Sequence, residues 1–228
     1  MQEPPNVATN LLIVHQVITR AIDVAIDGCV VFAETGFPDA SVREGFGNYV
    51  RTLVTVLRAH HLTEDELAFP LMLERVPSAP YGIMDDEHQV IDPLLVEVST
   101  AIGVVENNND STYRPLKDLQ GFLLRLRDVW LPHIRKEEEN FSPQVLARLF
   151  STEEHLQLIG VLSEHSRKVA QPDYLVVPFL LFNLPPDERA RFSRSLPSVV
   201  TQELVPVAWK DRWASMRPFL LMSEPSGD

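Results

Sequence analysis

The chain has 228 residues, 45% of them hydrophobic, with a formal charge of −12 and one cysteine. That is enough apolar material for a core in one large domain or a domain with an appendage, while the acidic balance, with no basic run longer than a pair, excludes nucleic acid and anionic membrane surfaces as partners. The lone Cys29 excludes an intramolecular disulfide and any multi-cysteine metal site, and with no leader-like start in MQEPPNVATN and no uninterrupted apolar run of bilayer length the sequence reads as cytoplasmic.

From Thr9 to about Ala33, apolar residues Leu11, Leu12, Ile18, Ile22 and Ile26 recur at helical spacing, with Thr9 or Asn10 as N-cap. A second run, capped by Asp39 or Ser41 after TGFPD, carries Tyr49, Leu53, Val56, Leu57, His60, Glu64 and Leu67 on one face and stops near Pro70. RVPSAPYG reads as a turn, and a third helix spans about Ile83 to Val105 with a kink expected at Pro93. After NNNDS a fourth helix runs from about Thr112 to Phe141, with Ser111 as cap and a second kink expected at Pro132. Four such helices with short polar loops predict an all-α, up-down-up-down four-helix bundle over residues 1–147. The remainder, 148–228, opens with the capping box STEE and is punctuated by prolines, predicting a helical C-terminal extension packed on the bundle.

Residues four apart share a helix face, so His60 with Glu64 and His133 with Glu137 each offer an imidazole and a carboxylate to one point. His15 and His88 lie on the inward stripes of the first and third helices. His60 follows His15 by 45 residues, and His133 follows His88 by the same interval, a repeated helical hairpin. In an antiparallel bundle all six groups converge at one end. Left unpaired in an apolar interior they would cost several kcal/mol, and a divalent metal removes that cost. Imidazole and carboxylate ligands suit iron or manganese, and imidazole also accepts zinc.

With its repeated blocks HHLTEDELAFP and HIRKEEENFSP, together with His15 and EHQVI around His88, the sequence resembles the hemerythrin-like (HHE cation-binding) family over about residues 10 to 145. The resemblance implies two iron ions held by His15, His60, Glu64, His88, His133 and Glu137, with the two glutamates as bridges. It further implies a non-haem centre that binds or reacts with dioxygen, peroxide or nitric oxide. Oxygen-carrying members have a second histidine one turn after that of the third helix. Here that position is Asp92, a harder ligand or none, which argues against reversible oxygen carriage.

Three further residues are candidates for the ligand set: His61 as the missing imidazole or as a hydrogen-bonding neighbour, Asp92, and Glu138 if the helix is locally rotated after Pro132. Tyr49, three turns before His60, is read as core packing or as a donor pointing into a channel below the metals. Trp130 is read as packing, Glu66 and Glu139 as solvated, and His155 and His165 as outside the site. A ferritin-like di-iron site would need a glutamate where Trp130 stands. The expected activity is either oxidoreductase turnover, peroxidase-, catalase- or oxidase-like, or metal-dependent sensing, storage or structural interaction without turnover. VVPFLLF is read as core, and the extension could also supply a homodimer face.

Overall fold

The computed structural model describes residues 4–107 and 112–222. The chain is 83% helical, with no strand among the described residues. Helix α1 (Val7–Thr35) begins earlier than its apolar spacing suggests. Asn6 is extended and its side chain accepts from the Ala8 N–H, the bond a good N-cap supplies, so neither Thr9 nor Asn10 is the cap. A second orphan donor of that first turn, the Val7 N–H, donates to His155 Nδ1, 148 residues later in the sequence. Helix α2 (Ala40–Thr63) is capped by Asp39, which accepts from the Val42 N–H.

Pro70 does not end the second helix. The chain continues from α2 through a π-helical turn, Glu64–Ala68, into the short α3 (Phe69–Leu73). In a regular helix the Pro70 ring would strike the carbonyl four residues back, and the widened turn, closed by Phe69 N–H donating to Glu64 C=O, accommodates it. Helices α4 (Tyr81–Asn107) and α5 (Tyr113–Asn140) both run through their prolines, Pro93 and Pro132, which are exposed on the outer face. Ser111, the expected cap of the latter, lies outside the described residues. Helix α4 is long and apolar enough to cross a bilayer by length and composition; it is also a core helix of the bundle, with Ile91, Leu95, Val98 and Ile102 buried.

Contacts between helices fix their directions. Asp23 meets Arg127 and Thr19 meets Trp130, so α1 and α5 are antiparallel. Asp65 meets His88 and Arg51 meets Glu106 between α2 and α4; His88 meets His133 and Glu97 meets Arg125 between α4 and α5. His15 faces His60 while Gly28 faces Phe46, so α1 and α2 are antiparallel as well. The first half of α1 and the last turns of α2 therefore share one end with the start of α4 and the end of α5.

The extension comprises α6 (Pro143–Leu149), α7 (Thr152–Val169, opened by the Ser151 and Glu154 capping box), α8 (Asp173–Phe182), α9 (Pro186–Ser193), a π-helical segment Val200–Ala208 and a 3₁₀ segment Ala214–Phe219. Val176, Phe179 and Leu181 of VVPFLLF are buried in the same apolar cluster as Tyr49, Leu53 and Leu57 of α2, as are Trp213, Met216 and Phe219. Cys29 is buried there too, its thiol pushed up to about 12 by burial. A second, smaller cluster of Val7, Ala8, Phe69, Met72, Val76, Met84, Phe141 and Leu146 closes the other end of the bundle. The polar groups singled out by the sequence lie between these two apolar plugs.

Candidate metal centre

Helical periodicity brings His15, His60, Glu64, His88, His133 and Glu137 together, and all six are buried. His61 joins them at 2% exposure. Their ligand atoms form two groups, His61, Glu64, His88 and His133 in one and His15, His60, Glu64 and Glu137 in the other, each with its atoms within 4.8 Å of one another. Glu64 belongs to both. One of its oxygens is 3.4 Å from His60 Nε2 and the other 3.7 Å from His88 Nε2. Glu137 is divided in the same way, Oε2 lying 3.0 Å from His15 Nε2 and Oε1 3.3 Å from His133 Nε2.

These atoms are close to one another without being bonded to one another. His15 Nε2, His60 Nε2, both ring nitrogens of His61, Glu64 Oε2 and both Glu137 oxygens have no aligned hydrogen-bond partner although all are buried. Native interiors leave few such groups unsatisfied, and several at one point, facing a common centre, fit a cation held between them. The outward nitrogens tell the same story. His88 Nδ1 is 2.7 Å from Asp65, His133 Nδ1 is 3.1 Å from Glu87, and His15 Nδ1 is 2.9 Å from Glu138. Imidazoles that donate Nδ1–H to carboxylates present bare Nε2 lone pairs inward, and the Nε2 atoms of His88 and His133 are 3.1 Å apart. Two facing lone pairs at that distance need a positive charge between them, a proton or a metal ion.

The electrostatics are those of imidazoles and carboxylates crowded together in a buried interior. Burial, then the neighbouring imidazoles, holds His60 and His61 well below the usual imidazole range. Burial, then Glu137 and Asp65, holds the Glu64 carboxyl well above the usual carboxylate range. For Glu137 burial acts upward too, but His133 and His15 outweigh it and bring the group well below its ordinary value. His15 moves up despite its burial because Glu137 and Glu138 both face it.

The other candidates separate cleanly. Asp92 is exposed and outside both groups, because the inward stripe of α4 runs through His88, Ile91 and Leu95 and position 92 lies past its edge. His61, its ring stacked on His88 at 3.9 Å, stands on the inner side of that helix instead. Glu138 is not among the inward groups; its side chain is 38% exposed and accepts from His15. Tyr49 is buried against the extension and lines no channel among the described residues. Its hydroxyl donates to Asn183 at 2.7 Å and accepts from Arg20 at 3.3 Å, and its ring packs on Phe179 and Phe219 of the extension. Glu66 is not simply solvated, since it meets His165 Nε2 at 2.8 Å. His155 and His165 lie outside both groups.

Sequence reasoning paired Asp65 with His61, one turn before it, whereas Asp65 meets His88; it missed Glu87 as the partner of His133, and the π turn that spreads Glu64 inward, Asp65 toward α4 and Glu66 toward α7. Only Pro70 signalled that turn. Trp130 proves more than filler: its ring lies within 6.1 Å of the rings of His15, His60, His61 and His133, and its Nε1–H donates to Thr19. Phe69 stacks on His88 at 5.7 Å. Both aromatic rings pack directly against the buried imidazoles.

No curated protein and no solved structure gives a significant match to the chain. A family model, that of the hemerythrin HHE cation binding domain, matches residues 9–145, more than half of the sequence and the whole of the stretch that carries the buried groups. The chain belongs to the hemerythrin HHE cation-binding domain family.

Proposed function

We propose that the chain is a non-haem di-iron protein that binds or reacts with a small oxidant, dioxygen, peroxide or nitric oxide. The observation that carries this reading is the sharing of Glu64 between two buried ligand groups, with the oxygens of Glu137 divided between His15 and His133. His61, His88 and His133 would hold one ion and His15 and His60 the other, with the two glutamates between them. The second position has one imidazole fewer, which favours it for an incoming ligand. When bound, iron supplies redox change and an open coordination position.

The chain's own residues do the rest. Trp130 and Phe69 keep bulk water away. A cleft of about 410 Å³ between α1 and α5, with His15, Glu138, Gln16 and Thr19 in its wall, gives a small molecule an approach to the two-imidazole side. Protein purified after expression with iron should contain two iron ions per chain, show iron(III) charge-transfer absorption in the near ultraviolet, and change that spectrum with nitric oxide or peroxide; His60→Ala should lose the response. Iron-free protein that remains spectrally silent after reconstitution contradicts the proposal.

A second reading, a metal-dependent sensor without turnover, is favoured by one contact. His165 of the extension meets both Thr63 and Glu66 at the π turn that carries Glu64. Steady-state peroxide consumption by the iron form, abolished in His60→Ala, favours turnover; a change in protease sensitivity of α7 on iron loading, with no consumption, favours sensing.

A further inference from the structure

The three carboxylates that face the outward nitrogens of the histidines have a common arrangement. Asp65 is the chain neighbour of Glu64 and reaches from the end of the second helix to His88 of α4. Glu87 is the neighbour of His88 and reaches from α4 to His133 of α5. Glu138 is the neighbour of Glu137 and reaches from α5 to His15 of α1. Adjacent helical residues point about 100° apart; when one faces the bundle axis, the next faces the adjoining helix. Each tether therefore crosses one helix boundary, and together they pass from α2 to α4 to α5 to α1. The boundary between α1 and α2 has none: among the described residues, His60 and His61 have no carboxylate on an outward nitrogen.

We infer that Asp65, Glu87 and Glu138 form an open ring of positioning residues, each fixing the Nδ1–H form and the orientation of one imidazole so that its Nε2 is presented inward. The inference rests on the reading of these histidines as metal ligands. Such partners typically contribute about 10–100-fold to metal affinity. The ring is unequal. His88 and His133 of the three-imidazole group are both tethered, and Glu87 is itself held by Lys136 Nζ at 2.6 Å. The two-imidazole group has a single tether, from Glu138. The ion beside His15 and His60 is accordingly the one released first, and Glu138 governs it alone.

The test uses the full chain with ¹⁵N-labelled histidines, loaded with zinc. Three imidazole Nδ1–H signals should exchange slowly with solvent, and Asp65→Ala, Glu87→Ala and Glu138→Ala should each abolish one, that of His88, His133 and His15 respectively. Zinc release to a chelator should be biphasic. Glu138→Ala should speed only the fast phase, by about 10–100-fold, and Asp65→Ala or Glu87→Ala the slow phase. Asp65→Asn, Glu87→Gln and Glu138→Gln keep an acceptor and should restore most of the loss, whereas Glu139→Ala should change nothing. Unaltered release, or slow signals that survive the alanine substitutions, overturns the ring. Wild-type chain that takes up no zinc sinks the metal reading instead, and the same signals in the metal-free chain then decide the tethers separately.

Discussion

Glu64 has one oxygen near His60, the other near His88, and no ion pair with a permanent cation, and burial favours its neutral form. A carboxyl whose folded value is raised contributes stability that is complete below its ordinary value of 4.5 and is lost as pH climbs through the folded value. Metal-free Glu64→Gln, permanently neutral, should therefore match the wild type near pH 4 and exceed it by about 1–3 kcal/mol at pH 7 in urea unfolding. Added iron or zinc should reverse that order, since only the carboxylate serves a cation; a mutant no more stable than wild type at pH 7 contradicts this account of the site. His61 and Asp92 supply a paired prediction. His61→Ala should remove at least one of two bound metal ions by elemental analysis, and Asp92→Ala none, because only His61 is buried among the ligand atoms. The HxxxE pairs were legible in the sequence because a four-residue step keeps one face. His61 was harder: the arc of a helix that faces a bundle interior is wide enough for two consecutive residues only where the surrounding helices leave room, and that is a tertiary fact.

At the scale of elements, the four bundle helices and the capping box of α7 follow from periodicity and local side-chain chemistry. The π turn does not. In the sequence Pro70 reads as the end of the run, and the widening that admits the proline ring depends on Phe69 reaching back five residues to Glu64. As a result three consecutive acids in one wide turn face three directions, Glu64 into the bundle, Asp65 to the outer nitrogen of His88 and Glu66 to His165. Removing metal should loosen this end of the bundle selectively. Chelation of the loaded protein should raise amide hydrogen exchange at residues 60–68, 84–88 and 133–138, while Val98, Ile102 and Val105 in the opposite half of α4 keep their protection. Uniform loss of protection along α4 would show that the metal supports the whole bundle rather than its ligand-bearing end.

Across the whole molecule, the extension fills the side of the bundle where α1 and α2 face outward. Arg20 of α1 donates to Asn183, to the Phe219 carbonyl and to the Tyr49 hydroxyl of α2, joining both helices to the extension. The 3₁₀ segment approaches α2 so closely that a Cβ at Gly45 would collide with the Ser215 carbonyl oxygen. Gly45→Ala should cost about 1–3 kcal/mol through this clash with backbone, read as a thermal midpoint several degrees lower, with metal content unchanged; an unaltered midpoint would mean that the segment is not held against α2. That the extension is helical could be read from its capping signals and prolines. Its seat could not, because the docking residues Asn183, Ser215 and Phe219 have no periodic relation to Gly45 or Tyr49. Two cations sharing Glu64 are what the two buried groups are proposed to hold. The most direct measurement is anomalous diffraction at the iron edge from crystals of the iron-loaded chain. It should show two separate peaks, one among His61, His88 and His133 and one beside His15 and His60, with Glu64 reaching both; a single peak, or iron bound away from these residues, would contradict it.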